Sequence, residues 1–252
     1  MPKSRESRPR GHASYRQRVF AALVGGSGLA LVVLAGSLLL ASLHARQADQ
    51  FLQDWGTTGE PPTAEAFAVA EAAAIRAIQW HPGPSGAHWE QLGRVYAWRH
   101  WRAPYGPGPG WTDRPNAEAL LGQPLGAEAS HDPALTRLRA LVAHAHATEH
   151  RPLWPYGRVR LARAHLHAGD PDGELATVLH QAFELGPWRP GVNRHITFIG
   201  LRAWPNLDPA TRDLVLENAR RTVRFSRADE RRVRALGERV GLLPLLEVMV
   251  LP

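Results

Sequence analysis

An uncharged run of 25 residues, from Val19 to Leu43, constrains this chain more than any other feature of its sequence. At a rise of about 1.5 Å per residue, a helix of this length crosses a hydrocarbon core of about 30 Å with some tilt. A cleaved signal peptide is the alternative, but its apolar part normally covers about 7 to 15 residues and ends at small residues. Here the run ends in ASLHARQ, with Leu43 where a small residue is needed. The sequence therefore predicts an uncleaved transmembrane helix over residues 19–43.

Basic residues are concentrated ahead of this run. Residues 1–18 hold six basic side chains against Glu6, so they carry +5 of the chain's net charge of +7. This asymmetry predicts a cytoplasmic tail over residues 1–18 and a periplasmic domain over residues 46–252. Because only +2 remains for the rest of the chain, a nucleic-acid partner is not expected. The heavy use of Arg, Ala, Gly and Pro in place of Lys is typical of GC-rich bacterial genes, so we expect a single-pass protein of the bacterial inner membrane.

Small residues recur on one face of the predicted membrane helix. Ala22, Gly26 and Ala30 are spaced four residues apart, the small-xxx-small pattern that lets two membrane helices approach closely. This stripe makes a homo-oligomer one alternative. The other is that small residues are simply common in membrane helices.

A helical-repeat pattern begins after the membrane segment. Trp89, Leu92, Gly93 and Tyr96 match the W-x2-L-G-x2-Y pattern of the first helix of a tetratricopeptide repeat, in which Gly permits close approach of the partner helix. The second-helix pattern has small or aromatic residues at i, i+4 and i+7 and a Pro five residues later. That half-repeat occurs three times: Ala70, Ala74, Ala77 and Pro82; then Ala140, His144, Ala147 and Pro152; then Ala182 with Pro187. The predicted fold class is all-α, with the membrane helix followed by a tetratricopeptide-like α-solenoid of helix pairs.

Helix signals continue to the end of the chain. Asp208 and Ser226 are good N-terminal caps, and Gly241 ends the second of the two helices that they start. The final segment, LLPLLEVMVLP, is apolar enough to fold back on the solenoid as a closing element, and docking on a partner is the alternative.

A Pro/Gly-rich insertion over about residues 102–133 interrupts the repeats. Alternating Pro and Gly exclude a helix at its start. Insertions in a solenoid fall on one face, often the binding face, and a tolerated disordered loop is the alternative. Tyr105 and Trp111 favour contact, because aromatic side chains are enriched at interfaces.

Few residues of this chain can perform catalysis or hold a metal. Cysteine is absent and Lys3 is the only lysine, which excludes a thiol nucleophile, a Schiff base and a Walker-type phosphate loop. The serines beyond the membrane helix do not lie in a G-x-S-x-G motif. His146 and His150 have the i, i+4 spacing of metal-binding helices, but no H-E-x-x-H pattern accompanies them. We therefore predict no catalytic, cofactor-binding or metal-binding residue.

Residues 79–206, behind a single membrane helix, resemble the VpsP family of polysaccharide biosynthesis proteins. The resemblance is carried by RPLWPYG at residues 151–157, by ELGPW at residues 184–188 and by GLRAW at residues 200–204. It implies a role in making or exporting a bacterial exopolysaccharide of the biofilm matrix, with no catalytic activity attached to the family. Trp154 and Trp188 are first interpreted as helix junctions, since Pro ends one helix and starts the next around each. Sugar stacking by these two residues or by Trp111 is the alternative.

The resemblance and the repeats together predict a non-catalytic adaptor in a polysaccharide synthesis and export complex. Its partners would be protein components of that complex, with an acidic glycan as a further candidate. First-helix positions expected on the concave, binding face are Gln91, Arg94, Arg158 and Arg163. Two alternatives remain at this point: a periplasmic glycan-binding or glycan-modifying protein, and the same scaffold serving another envelope complex.

Overall fold

A computed structural model describes residues 15–102, 124–125, 131–169 and 173–251. Within these ranges the chain is all-helical and has no strand, which confirms the predicted fold class at the all-α level. The described helices are α1 Tyr15–Thr58, α2 Ala64–Trp80, α3 Gly86–Arg99, α4 Pro133–His150, α5 Pro155–Ala168, α6 Leu175–Leu185, α7 Pro190–Ala203, a 3₁₀ turn Trp204–Asn206, α8 Pro209–Phe225, α9 Arg227–Val240 and α10 Leu243–Met249.

Helix α1 contains the predicted membrane segment and continues beyond it. It is long and apolar enough to cross a membrane. Residues 17–36 are exposed along its length, and the helix then runs through the charged residues Arg46 and Asp49 without a break. The predicted boundary between the membrane segment and the domain therefore falls inside one helix of 44 residues.

The last third of α1 is part of the domain core. Ala41, Ala48, Leu52 and Trp55 are at most 4% exposed. The last three belong to a core cluster with residues of α2 and α3. The side-chain amide of Gln91 on α3 donates to the Ala45 carbonyl at 2.7 Å. The apolar contacts fix the distance between these helices. The Gln91 hydrogen bond fixes the position of α3 along the axis of α1.

Local sequence determines where the helices begin and end. The side chains of Thr63, Ser85, Asp132, Asp208 and Ser226 each accept a backbone N–H in the first turn of the helix that follows. Such caps satisfy donors that the helix itself cannot. The predicted caps at Asp208 and Ser226 are confirmed. The predicted end at Gly241 is also confirmed, and Gly is required there because its φ is +72°.

Successive helices pack on one another as antiparallel pairs. Helices α1 and α3 also contact each other, as do α5 and α7, and α7 and α9. Gly93 lies so close to α4 that an added Cβ would be 2.7 Å from the His144 ring, which is the close approach that the repeat pattern predicts.

At the C-terminus, Leu246 is fully buried and Leu251 is 8% exposed in the larger core cluster, so the final segment folds back on the domain.

A buried polar network joins α2, α3 and α4. The carboxylate of Glu71 is fully buried and accepts from the Tyr96 hydroxyl at 2.9 Å, from the Leu125 backbone N–H at 3.0 Å and from Arg139 at 3.3 Å. Burial raises the pKa of Glu71, and the hydrogen bonds from Leu125 and Tyr96 and the charge of Arg139 oppose that rise. The tyrosine of the repeat pattern is therefore a hydrogen-bond donor as well as an apolar spacer.

Removing the charge of Glu71 is expected to destabilise the domain. Glu71→Gln leaves the Arg139 guanidinium buried without its carboxylate, and such a loss costs about 3 kcal/mol. Denaturant unfolding of the full chain in detergent, followed by circular dichroism, measures the change. Glu65→Gln is the matched control, because it makes the same substitution on an exposed residue of the same helix. Equal unfolding midpoints for the two variants would contradict a stabilising role for the network.

Candidate functional site

Two adjoining cavities form a groove on one face of the helix array. Each has a volume of about 430 Å³. They share Arg163, His167 and His195, so they make one continuous surface, which we call the basic groove. Its arginines come from five helices and are Arg94, Arg137, Arg160, Arg163, Arg194, Arg202 and Arg232.

Helical spacing places these side chains on the groove. On α5, Arg160, Arg163 and His167 are three and four residues apart, which puts them on one helix face. On α7, His195, Phe198 and Arg202 repeat the same spacing and also line the groove. Since α5 and α7 run in the same direction as neighbours, their basic faces lie side by side.

Asp229 is the only carboxylate among the described residues that line the groove. It is 1% exposed and accepts from Arg194 at 2.7 Å, from the Ser226 hydroxyl at 2.7 Å and from Arg232 at 3.2 Å. The hydrogen bonds from Arg194, more than any other contact, lower its pKa. Asp229 is therefore ionised and fully engaged, and it positions two groove arginines.

Two further carboxylates hold arginines at the margin of the groove. Glu90 forms salt bridges with Arg160 and, at 3.5 Å, with Arg151. Asp49 of α1 lies 3.6 Å from Arg94. These pairs fix guanidinium groups in place before any ligand arrives, which reduces the entropy lost on binding.

Three groove histidines are neutral at physiological pH. Burial, together with the charges of Arg94 and Arg163, lowers the pKa of His144 to about 3. Burial and Arg163 also lower the pKa of His167 to about 3 and that of His195 to about 4. These three imidazoles can therefore serve as uncharged hydrogen-bonding groups beside the groove arginines.

Aromatic side chains line the end of the groove next to α1. Trp98 and Trp101 meet edge to face, with ring centroids 5.4 Å apart, and Trp98 also lies 6.5 Å from Trp55 of α1. The indole N–H of Trp101 is buried and has no hydrogen-bond partner in the described part of the chain. A buried donor of this kind is costly unless something accepts from it.

The arrangement as a whole is suited to binding an anion. Arginine guanidinium groups bind carboxylates and phosphates in a bidentate manner. The described lining contains no Ser, Thr or Cys side chain to act as a nucleophile, and it contains no pair of facing carboxylates.

The predicted concave-face residues have different positions in the structure. Arg94 and Arg163 both line the basic groove, and Arg163 lies where the two cavities join. Gln91 instead bonds the backbone of α1. Arg158 is half-buried on α5 and is not among the groove-lining residues.

Both tryptophans of the Trp-Pro motifs lie at helix junctions. Trp154 precedes α5, and the guanidinium groups of Arg151 and Arg189 lie 4.9 and 5.8 Å from its ring. Trp188 lies between α6 and α7, is 79% exposed, and has the Arg221 guanidinium 4.4 Å from its ring. Neither residue lines the groove.

Other candidate residues lie away from the groove or cannot be placed. Tyr105 and Trp111 of the insertion are outside the described residues. Ala22, Gly26 and Ala30 lie on the exposed part of α1, and an added Cβ at Gly26 would meet no atom within 4 Å.

His146, Glu149 and His150 form a small cluster whose potential ligand atoms lie within 4.8 Å of one another. It lies on α4, with its glutamate and His150 exposed. The His146 ring packs on Trp89 with centroids 4.8 Å apart and bonds Glu149 at 3.1 Å. None of these three residues lines the basic groove.

Comparison with protein-family models and with curated proteins finds no match for this chain. Its function therefore has to be argued from the groove and from the sequence resemblance.

Sequence reasoning missed most of the groove. It did not single out Arg137, Arg160, Arg194, Arg202 or Arg232. The i, i+3, i+7 spacing of Arg160, Arg163 and His167 is a usable signal, because YGRVRLARAHLH places these three basic side chains on one face once a helix is assumed. Which helices face each other could not be obtained that way.

The buried, neutral state of His144 predicts a specific pH dependence of stability. Its folded pKa of about 3 is below the ordinary value of 6.5, so the unfolded chain binds a proton that the folded chain does not between these pH values. The free energy of unfolding should therefore fall with pH below about 6.5, by about 1.4 kcal/mol per pH unit for this one residue.

His144→Gln should reduce this slope, measured by denaturant unfolding of the full chain in detergent between pH 7 and pH 4. His146→Gln, on the same helix, is the control and should retain it. If the two variants show the same slope as the unsubstituted chain, His144 does not remain neutral in the folded state.

Proposed function

We propose that this chain is a non-catalytic, membrane-anchored adaptor whose basic groove holds an acidic segment of a partner protein. The groove is the observation that carries the proposal, because seven arginines and a single engaged carboxylate line it in the described part of the chain. Helix α1 would anchor the protein in the bacterial inner membrane, with the N-terminus in the cytoplasm and the helical domain in the periplasm.

The helical array supports a tetratricopeptide-like solenoid as the finer description of the fold. Odd-numbered helices from α3 to α9 supply most of the groove, as the first helices of repeats do on a concave face. Gly93 and Tyr96 occupy the contacts that the repeat pattern gives them. Extended concave surfaces of this type bind peptide segments.

The position of the groove favours an adaptor over an enzyme. Asp49 of α1 lies 3.6 Å from Arg94 of the groove, so the binding surface is attached directly to the anchoring helix. A partner held there would remain at a constant height above the membrane. We place this adaptor in exopolysaccharide synthesis and export on the resemblance of residues 79–206 to VpsP-type proteins.

Glycan binding is the second candidate function, and the tryptophans at the α1 end of the groove favour it. Trp98 and Trp101 can receive sugar rings while arginines bind the carboxylates of an acidic polymer. The same scaffold could also serve another envelope complex, and identification of the partner distinguishes that possibility.

Charge reversal in the groove is expected to weaken partner binding about tenfold or more without affecting folding. Arg163→Glu places a negative charge where the two cavities join, and the loss of one such contact lowers affinity about tenfold or more. Crosslinking of the full-length protein in its native membranes, followed by purification, measures recovery of the partner, and polymer output is measured in parallel.

Arg76→Glu is the matched control, since Arg76 is exposed on α2 and outside the groove. It should retain both recovery and output. If Arg163→Glu recovers the same proteins as Arg76→Glu at equal protein level, the groove is not the partner site. Recovery of glycan without protein would favour the second candidate function.

A further inference from the structure

Contacts between α3 and α1 fix the position of α3 along the axis of α1. They therefore locate one edge of the domain relative to the membrane segment. Residue 91 of α3 bonds residue 45 of α1, and Arg94 pairs with Asp49, so α3 runs parallel to α1 in a fixed register. Gly86, five residues earlier, therefore lies about 7 Å closer to the membrane segment, beside residue 40 of α1. Ala41 lies inside the uncharged run and is buried, with only 1% of its surface exposed.

The antiparallel packing brings four turns to this same edge. An added Cβ at Gly86 would touch Arg151, and one at Gly186 would lie 3.1 Å from Pro155. The Arg221 guanidinium donates to the Pro187 carbonyl at 2.8 Å. The turns that precede α3, α5, α7 and α9 thus form one row, which we call the near edge: residues 79–86, 149–155, 184–190 and 224–227.

Exposed apolar side chains are concentrated on the near edge. Beyond α1, the described part of the domain has seven exposed large apolar residues, and four of them lie here: Trp80, Leu153, Trp188 and Phe225. Leu153 and Trp188 are 80% and 79% exposed. None of the seven lies in a described turn of the opposite edge.

Charge on the two edges is opposite. The near edge carries four arginines against two glutamates, and guanidinium groups lie over its aromatic rings, with Arg221 4.4 Å from Trp188 and Arg194 4.8 Å from Phe225. The helices that begin on the opposite edge follow Thr63, Asp132, Glu174 and Asp208. Three of these four residues are acidic, so acidic residues predominate among them.

We propose that the near edge lies on the lipid headgroups of the membrane that α1 enters. Tryptophan and arginine side chains together suit this zone, because the ring enters the boundary of the acyl chains while the guanidinium binds lipid phosphate. The edge is continuous with α1 at the height where its uncharged run ends, so a bilayer around that run meets these residues without any rearrangement. Anionic lipid strengthens the contact with the arginines.

The absence of cysteine from the chain permits a direct test of depth. Single cysteines at Leu153, Trp188 and Phe225 of the full-length protein are labelled with an environment-sensitive fluorophore. The proteins are then placed in vesicles of phosphatidylethanolamine and phosphatidylglycerol that contain headgroup-quenching spin-labelled lipid. Glu60→Cys and Asn206→Cys are controls on the opposite edge, about 20 Å higher by the length of the 14-residue α3. Val33→Cys lies near the middle of the uncharged run, and a blue shift of its fluorophore reports insertion of α1.

Labels at the three near-edge positions should lose about half of their emission or more, as expected for groups in the headgroup zone. The labels at Glu60 and Asn206 should keep theirs, and the loss should diminish when phosphatidylglycerol is removed. A blue-shifted label at Val33 with no quenching at the near edge would overturn the proposal, and energy transfer between copies at Trp188 would then assign this edge to a second copy. Equal quenching at all positions would also overturn it, because it would mean non-specific adsorption.

Discussion

The packing of α1 against α2 and α3 determines the rest of the structure. Ala48 is small enough to let neighbouring helices approach α1, Leu52 packs in the same core cluster, and the Trp55 ring lies against Trp98. Because the same helix carries the uncharged run, the proposed membrane anchor is also a core helix. A flexible linker between anchor and domain would leave the orientation of the domain free, whereas a shared helix fixes both its height and its orientation.

The fixed orientation gives the two charged surfaces separate roles. The basic groove is built from alternate helices and holds its arginines with Asp49, Glu90 and Asp229, so its positive charge is arranged before binding. Burial and the neighbouring arginines keep His144, His167 and His195 neutral. The near edge has a different composition, with aromatic and aliphatic side chains beside its arginines. An acidic partner segment suits the first surface and a lipid headgroup layer suits the second.

Much of the fold could be predicted from the sequence, since caps, prolines and the spacing of small residues are local signals. Asp208, Ser226 and Gly93 have the roles that their sequence context predicts. The continuity of α1 could not be predicted, because Arg46 and Asp49 interrupt the apolar run while the buried stripe through Ala48 and Trp55 continues. The groove and the Glu71 network depend on residues from several helices, so no single segment reveals them.

A distance measurement along α1 tests the central claim most directly. Spin labels at Val24→Cys and Asp54→Cys in the full chain, reconstituted in lipid bilayers, are separated by 30 residues of helix. If α1 is one continuous helix from the membrane into the domain, electron paramagnetic resonance should give a single narrow distribution near 45 Å, from about 1.5 Å per residue. A broad distribution, or one centred well below that distance, would mean that α1 bends between anchor and domain, and it would contradict the account.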